Sequence, residues 1–230
     1  MFIGKKLKNY KLRSFIKNNW PYILPYLLAL VTSLYFLLQY DKVSIHVNVN
    51  SIVGNPYIDA FFKYFTHAGD GFVCIIIAVI VLLYNMRNGL FVLLTYAISG
   101  TTTNILKRYV YDVDRPHSVF GYYIPDKKLT FVDGVEMLGF NSFPSGHSTS
   151  AFAIFTSLAL ITENKILKFV YFLCAFLAAF SRTYLSQHWL VDITVGSLIG
   201  SMAAILFYLL IIQANNLQKI NKPLMKFFNP

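Results

Sequence analysis

Six apolar runs constrain this chain more than any other feature. They fall at residues 21–39, 71–84, 89–106, 147–162, 166–180 and 190–213. A helix needs roughly 20 apolar residues to cross the hydrocarbon core of a bilayer. Within that core only helices and closed barrels satisfy their own backbone polar groups. The runs therefore predict an all-α integral membrane bundle of six transmembrane helices, with the strictly apolar part of the second run short. Composition agrees, since 56% of the residues are hydrophobic and only 13% are charged. A soluble domain carries about twice that charged fraction.

The formal net charge is +10. Nucleic-acid binding is one reading of so basic a chain, but the charge here sits in flanks and loops between apolar runs, which fits membrane topology. Six spans put both termini on one side. With the termini inside, twelve of the Lys and Arg residues are internal and eight external, and only Glu163 of the ten acidic residues is internal. The expected location is the bacterial cytoplasmic membrane, with both termini cytoplasmic. The polar segments 107–146 and 181–189 then share the outer face. Residues 1–20 form a basic flank, read either as an amphipathic helix on an anionic leaflet or as a solvated segment that sets topology. The membrane domain covers 21–213, and a basic tail covers 214–230. The apolar run after the flank is long enough to span, and no clear cleavage site follows it, so a cleaved signal peptide is not expected.

Three short segments carry the candidate chemistry. The first is Lys107-Arg108-Tyr-Val-Tyr-Asp112-Val-Asp114-Arg115-Pro116, the second Phe143-Pro144-Ser145-Gly146-His147-Ser148, and the third Ser181-Arg182 through His188 to Asp192. His188 and Asp192 are four apart at the start of a predicted helix, so they share a face. A carboxylate beside an imidazole fixes its tautomer and stabilises its positive charge, which suits a histidine acting as base or nucleophile. Arg182, in the turn before it, can fork two phosphate oxygens. Ser145 is a plausible N-cap for the next apolar helix, and Gly146 permits close backbone approach. The free N–H groups of that helix make an anion site with His147 at its mouth. The first segment adds three cations, which are costly near lipid without an anion to bind; the alternative is interfacial snorkelling.

Together these segments resemble the three motifs of the type 2 phosphatidic acid phosphatase family, which shares its site with vanadium haloperoxidases. Pro-Ser-Gly-His at 144–147 and Ser-Arg-x5-His-x3-Asp at 181–192 match in full. The first motif departs from the family's Lys-x6-Arg-Pro. Seven residues separate Lys107 from Arg115, and Arg108 stands at the usual lysine position. The resemblance implies that His188 attacks phosphorus, that Asp192 orients it, and that His147 protonates the leaving oxygen and then activates water. It implies that Lys107 or Arg108, together with Arg115, Ser145, Gly146 and Arg182, holds the phosphate oxygens. It implies no metal and no cofactor, and the sequence has no dense carboxylate or Cys/His cluster. The implied partners are the bilayer and a membrane lipid phosphate. Undecaprenyl diphosphate, phosphatidylglycerol phosphate, phosphatidic acid and the lipid A phosphates all fit. The alternatives are a lipid-to-lipid phosphotransferase with the same site and a non-catalytic membrane transporter or scaffold. Six spans disfavour a soluble haloperoxidase.

Other residues have plainer readings. His67 and Asp70 open the second run and could line the mouth of the site, but helix capping by Asp70 is the simpler role. His46 and His117 read as loop histidines. Trp20, Tyr22, Tyr40 and Trp189 fit an interfacial aromatic belt. Cys74 and Cys174 read as buried small hydrophobes. Lys127, Lys128, Asp126, Asp133 and Glu136 read as a solvated outer loop.

Overall fold

The computed structural model describes residues 2–110, 113–212, 221 and 223. Asp112 of the first motif and nearly all of the basic tail lie outside these residues. The described chain is helical, in the order α1 Phe2–Gln39, α2 Lys42–Asn50, α3 Pro56–Phe65, α4 Gly71–Tyr84, α5 Met86–Ile105, the single turn α6 Pro116–Ser118, α7 Gly146–Ile161, α8 Lys165–Tyr184 and α9 Leu190–Phe207.

Polar residues set the helix starts. Asp41, Asn55, Asp70, Asn85, Ser145 and Asn164 each stand at an N-cap, and the side chain accepts from backbone N–H groups of the first turn. This satisfies donors that the helix itself leaves open. The basic flank does not form a separate element, because α1 runs unbroken from it into the first apolar run despite Pro21 and Pro25. Interior prolines are tolerated in membrane helices where neighbouring groups satisfy the freed carbonyls.

Among the described residues, four segments are long and apolar enough to cross a bilayer: Arg13–Gln39, Met86–Tyr109, Lys165–Tyr184 and Leu190–Ile212. A fifth arises if α3, its following turn Thr66–Gly69 and α4 are one span bent by 54°. The protein is thus an integral membrane protein, all-helical among the described residues, with four or five such spans there where the apolar runs predict six. The remaining run became α7, which at 16 residues is short for a lipid-facing crossing. It does not face lipid along most of its length. Almost every residue from Ser148 to Leu160 is buried, and α1, α4, α5, α8 and α9 all pack against it.

Close packing around α7 is built from small residues and hydroxyls. A Cβ added at Gly196 of α9 would lie 2.7 Å from the Ser145 carbonyl oxygen, and one at Gly200 would lie 2.4 Å from that of Thr149. Small residues four apart let two helix backbones approach in this way. Hydroxyl bonds join α7 to its neighbours: Tyr22 to Thr156 at 2.6 Å, Thr103 to Thr149 at 2.9 Å, and Thr156 to Ser201 at 3.3 Å. Tyr22 is therefore a buried interhelical residue, 3% exposed, and not part of an interfacial belt. Gly200→Ala is expected to cost about 1–3 kcal/mol through overpacking against the α7 backbone. A lower thermal midpoint of the detergent-solubilised variant would register this, and an unchanged midpoint would refute it.

Candidate active site

One end of the bundle gathers the first turns of α7 and α9, the last turn of α8 and the end of α5. The connection 185–189 between α8 and α9 is short and tightly held. The Gln187 and His188 N–H groups both donate to the Arg182 carbonyl, at 2.9 and 3.0 Å. Ser186 has φ 54°, the left-handed region that costs a non-glycine residue energy unless its surroundings enforce it. The enforcement comes from His46 of α2, whose Nε2 lies 3.1 Å from Ser186 Oγ. Its ring packs on Trp189 and Phe120 at 5.3 and 5.8 Å between centroids. His46 is thus a buried support of this loop rather than an ordinary loop residue, and burial pushes its pKa down to about 4. Trp189 is likewise buried, at 1% exposure, and its Nε1 donates to the Asp114 carbonyl at 2.9 Å. Lys42 sits 4.8 Å above its ring. This corrects the belt reading, for Trp189 clamps the segment that carries His188 and Asp192.

His188 is 2% exposed and Asp192 is fully buried. Asp192 Oδ2 lies 3.4 Å from His188 Nδ1 and accepts from the Trp189 N–H at 2.9 Å and from Ser142 Oγ. Ser142 Oγ in turn lies 3.4 Å from His188 Nδ1. The carboxylate is thus pinned by three groups and fixes one imidazole nitrogen, which leaves Nε2 as the nitrogen available to a reacting atom. Burial and the charges of Arg115, Arg182 and Lys107 hold the His188 pKa well below the usual histidine value. The ring is therefore neutral near pH 7, as a nucleophile requires.

Arg115 is held in its loop by Nε to the Phe140 carbonyl at 2.9 Å and by Nη1 to the Gln187 carbonyl and Oε1 at 3.2 and 3.1 Å. Its own backbone N–H donates to Gly139 at 2.9 Å, and Ser142 N donates to Val113 at 2.8 Å, so 113–115 and 139–142 run paired. Burial lowers the Arg115 pKa, partly offset by Asp192. Arg182 Nη1 donates to Thr66 Oγ1 at 2.9 Å, while its buried Nε has no protein partner.

The irregular first motif has a structural reason. The helix of α5 widens into a π turn at Leu106–Val110, and a π turn accommodates one residue more than an α turn. Lys107 is half-buried and interacts electrostatically with Arg115, Asp192 and Arg182. Arg108 is exposed. The geometry thus puts Lys107, not Arg108, with the other cations.

Ser145 is the N-cap of α7, as its position suggests. Its hydroxyl accepts from Ser148 N and Oγ at 3.4 and 2.9 Å, and its own N–H donates to the Asp192 carbonyl at 3.1 Å. Its hydroxyl therefore caps α7, and its N–H ties α7 to α9. The N–H groups of Gly146 and His147 come before any intrahelical acceptor, and space beside Gly146 is open. His147 shares one electrostatic neighbourhood with Arg182, His188, Arg115 and Asp70.

Ser142, Gln187 and Thr66 join the site without having been singled out from the sequence, and His46 joins it against its reading as a loop histidine. Gln187 had a signal, as the residue before His188, whereas Thr66 and His46 arrive only through tertiary packing. His67 is exposed, and His117 rests on Phe131 at 5.4 Å between ring centroids.

A family model described as the PAP2 superfamily matches residues 88–216. Proteins named Lipid A 1-phosphatase from Rhizobium johnstonii and Rhizobium etli are each 29% identical over 124 residues, 54% of this chain. The chain spans about half the length of these curated relatives, 48% and 50% respectively. The crystal structure of Aquifex aeolicus LpxE matches with a TM-score of 0.63 and 25% identity, over 74% of this chain and 96% of that one. A transmembrane PAP2-type phosphatidylglycerolphosphate phosphatase from Bacillus subtilis matches with a TM-score of 0.58, over 86% of this chain and 98% of that one. At 20% identity that second likeness is one of fold.

Proposed function

The chain belongs to the PAP2 superfamily, and on that premise we propose that it hydrolyses a phosphate ester on a membrane lipid through a phosphohistidine intermediate. The observation that carries the proposal is the buried His188–Asp192 pair within reach of the charges of Lys107, Arg115 and Arg182. A neutral imidazole with one nitrogen fixed, beside several cations, is arranged to attack an anionic phosphorus centre. His188 Nε2 attacks phosphorus, and the bond to the lipid oxygen breaks as His147 supplies the proton. Water then attacks the phosphohistidine, giving its proton to His147, and the electrons of the P–N bond return to His188. The side-chain cations and the first N–H groups of α7 stabilise the charge that spreads over the phosphoryl oxygens. These cations do the neutralising that a metal ion would otherwise do, so the reaction proceeds without one.

In this reading α7 and the bent α3–α4 pair complete six crossings. The termini are cytoplasmic, and the site opens at the outer surface of the cytoplasmic membrane. The acyl or prenyl chain stays in the bilayer while its phosphate enters between the helix ends. The names of the curated relatives favour the 1-phosphate of lipid A as substrate, ahead of phosphatidylglycerol phosphate, phosphatidic acid and undecaprenyl diphosphate.

The test is phosphate release from these four lipids by the detergent-solubilised protein, with and without chelator. Release from at least one of them at a rate unaffected by chelator is expected. Release from none, chelator-sensitive release, or transfer of the phosphoryl group to an acceptor lipid in place of water would overturn the reading.

A further inference from the structure

The bend between α3 and α4 carries a carboxylate to the second imidazole. Asp70 Oδ2 lies 3.9 Å from His147 Nε2. Asp70 is fixed there by its capping role, since Oδ1 accepts from Phe72 N at 2.8 Å and so leaves Oδ2 turned to the ring. The adjoining turn is pressed against the same residue. A Cβ added at Gly69 would stand 2.7 Å from the His147 carbonyl oxygen. Thr66, in that turn, receives Arg182 Nη1. Among the described residues, His147–Asp70 and His188–Asp192 are the imidazole–carboxylate pairs within 4 Å.

From this we infer that Asp70 is a positioning residue for His147, orienting the ring and holding on it the proton that the leaving oxygen receives. The inference rests on the phosphatase reading above. The charged groups facing His147 are Arg182 from α8, Arg115 from the loop after α5, His188 from the loop before α9, and Asp70 itself. Burial first, and then the two arginines and His188, disfavour a charged imidazole, and Asp70 is the carboxylate among these groups that favours it. In the first step His147 gives its proton to the oxygen leaving phosphorus as His188 bonds to phosphorus. The lipid departs as an alcohol, and the Asp70 carboxylate neither gains nor loses a proton.

The test uses the full-length protein and the rate of phosphoenzyme formation. Its substrates are the lipid that the wild-type protein turns over fastest and p-nitrophenyl phosphate, whose phenolate leaves without a proton. Asp70→Asn removes the charge but keeps a capping side chain. The rate with the lipid should fall about tenfold or more, a part of the roughly 10²–10⁴-fold that a general acid contributes, with KM nearly unchanged. The rate with the aryl ester should stay close to wild type. Without the carboxylate the imidazolium is easier to deprotonate, so the alkaline limb of the lipid rate should move to lower pH. Asp70→Glu should restore most of the lipid rate. Asp70→Ser, which also caps, repeats the comparison should the asparagine variant not fold. Equal losses on both esters, or no loss and no displaced limb, would reduce Asp70 to a helix cap and overturn the inference alone. A wild-type protein inactive on every ester would overturn the phosphatase reading together with it.

Discussion

His188→Ala should lower kcat for phosphate release by about four to six orders of magnitude, as removal of a covalent nucleophile does in other enzymes. The two buried or site-facing imidazoles nearby, His147 and His46, do not replace it. His147 is bound to a different helix, and His46, although buried nearby, is engaged with Ser186 and packed between Trp189 and Phe120. The first turn of α9 is held by Trp189 and Asp192 without His188. The variant should therefore reach the membrane and leave it in detergent as the wild type does. Residual turnover within tenfold of wild type in a well-folded preparation would place the nucleophile elsewhere.

Asp192→Asn comes next in size. An asparagine keeps the shape and can still accept from Trp189 N, so the start of α9 should survive. It loses the negative charge that stabilises the positively charged phosphohistidine, and its amide can present a donor where His188 Nδ1 needs an acceptor. The comparable carboxylate-to-amide change in a Ser-His-Asp site costs about four orders of magnitude in kcat, and a loss of about three to four orders is expected here. The loss should fall on kcat, since Asp192 lies behind the imidazole and away from substrate. A variant that loses affinity but not kcat would show that Asp192 acts on binding, contrary to this account.

Much of this site could be read from the chain before any coordinates, because its parts lie where local rules operate. His188 and Asp192 meet through helix-start spacing, and Ser145 caps α7 because a polar residue before an apolar run does so. The first motif was harder. Lys107 and Arg108 are neighbours, and only the π turn, which no simple period signals, decides which of them turns inward. Asp70, readable from the sequence either as a helix cap or as part of the mouth of the site, and Thr66 reach it because a helix pair bends by 54°, a tertiary event with no local signature. The aromatic residues misled for a related reason. Tyr22 and Trp189 have the composition of a membrane-interface belt, but composition does not say which face of an element meets α7 or the His188 loop. Among the described residues, four or five of the six expected spans are long enough to cross by themselves, and composition does not say that α7 is covered by other helices. An apolar run wholly surrounded by other helices can be shorter than the bilayer is thick, so α7 breaks the length rule without breaking its physical basis.

The most direct test is to mix the protein with a substrate carrying radiolabelled phosphate, quench in base, where phosphohistidine survives, and map the label. Label on His188 is the predicted result, accumulating further in His147→Ala when the substrate is an aryl phosphate, whose leaving group needs no proton, because the second step then stalls. Label on any other residue, or full turnover with no labelled protein at any time, would contradict a covalent histidine mechanism.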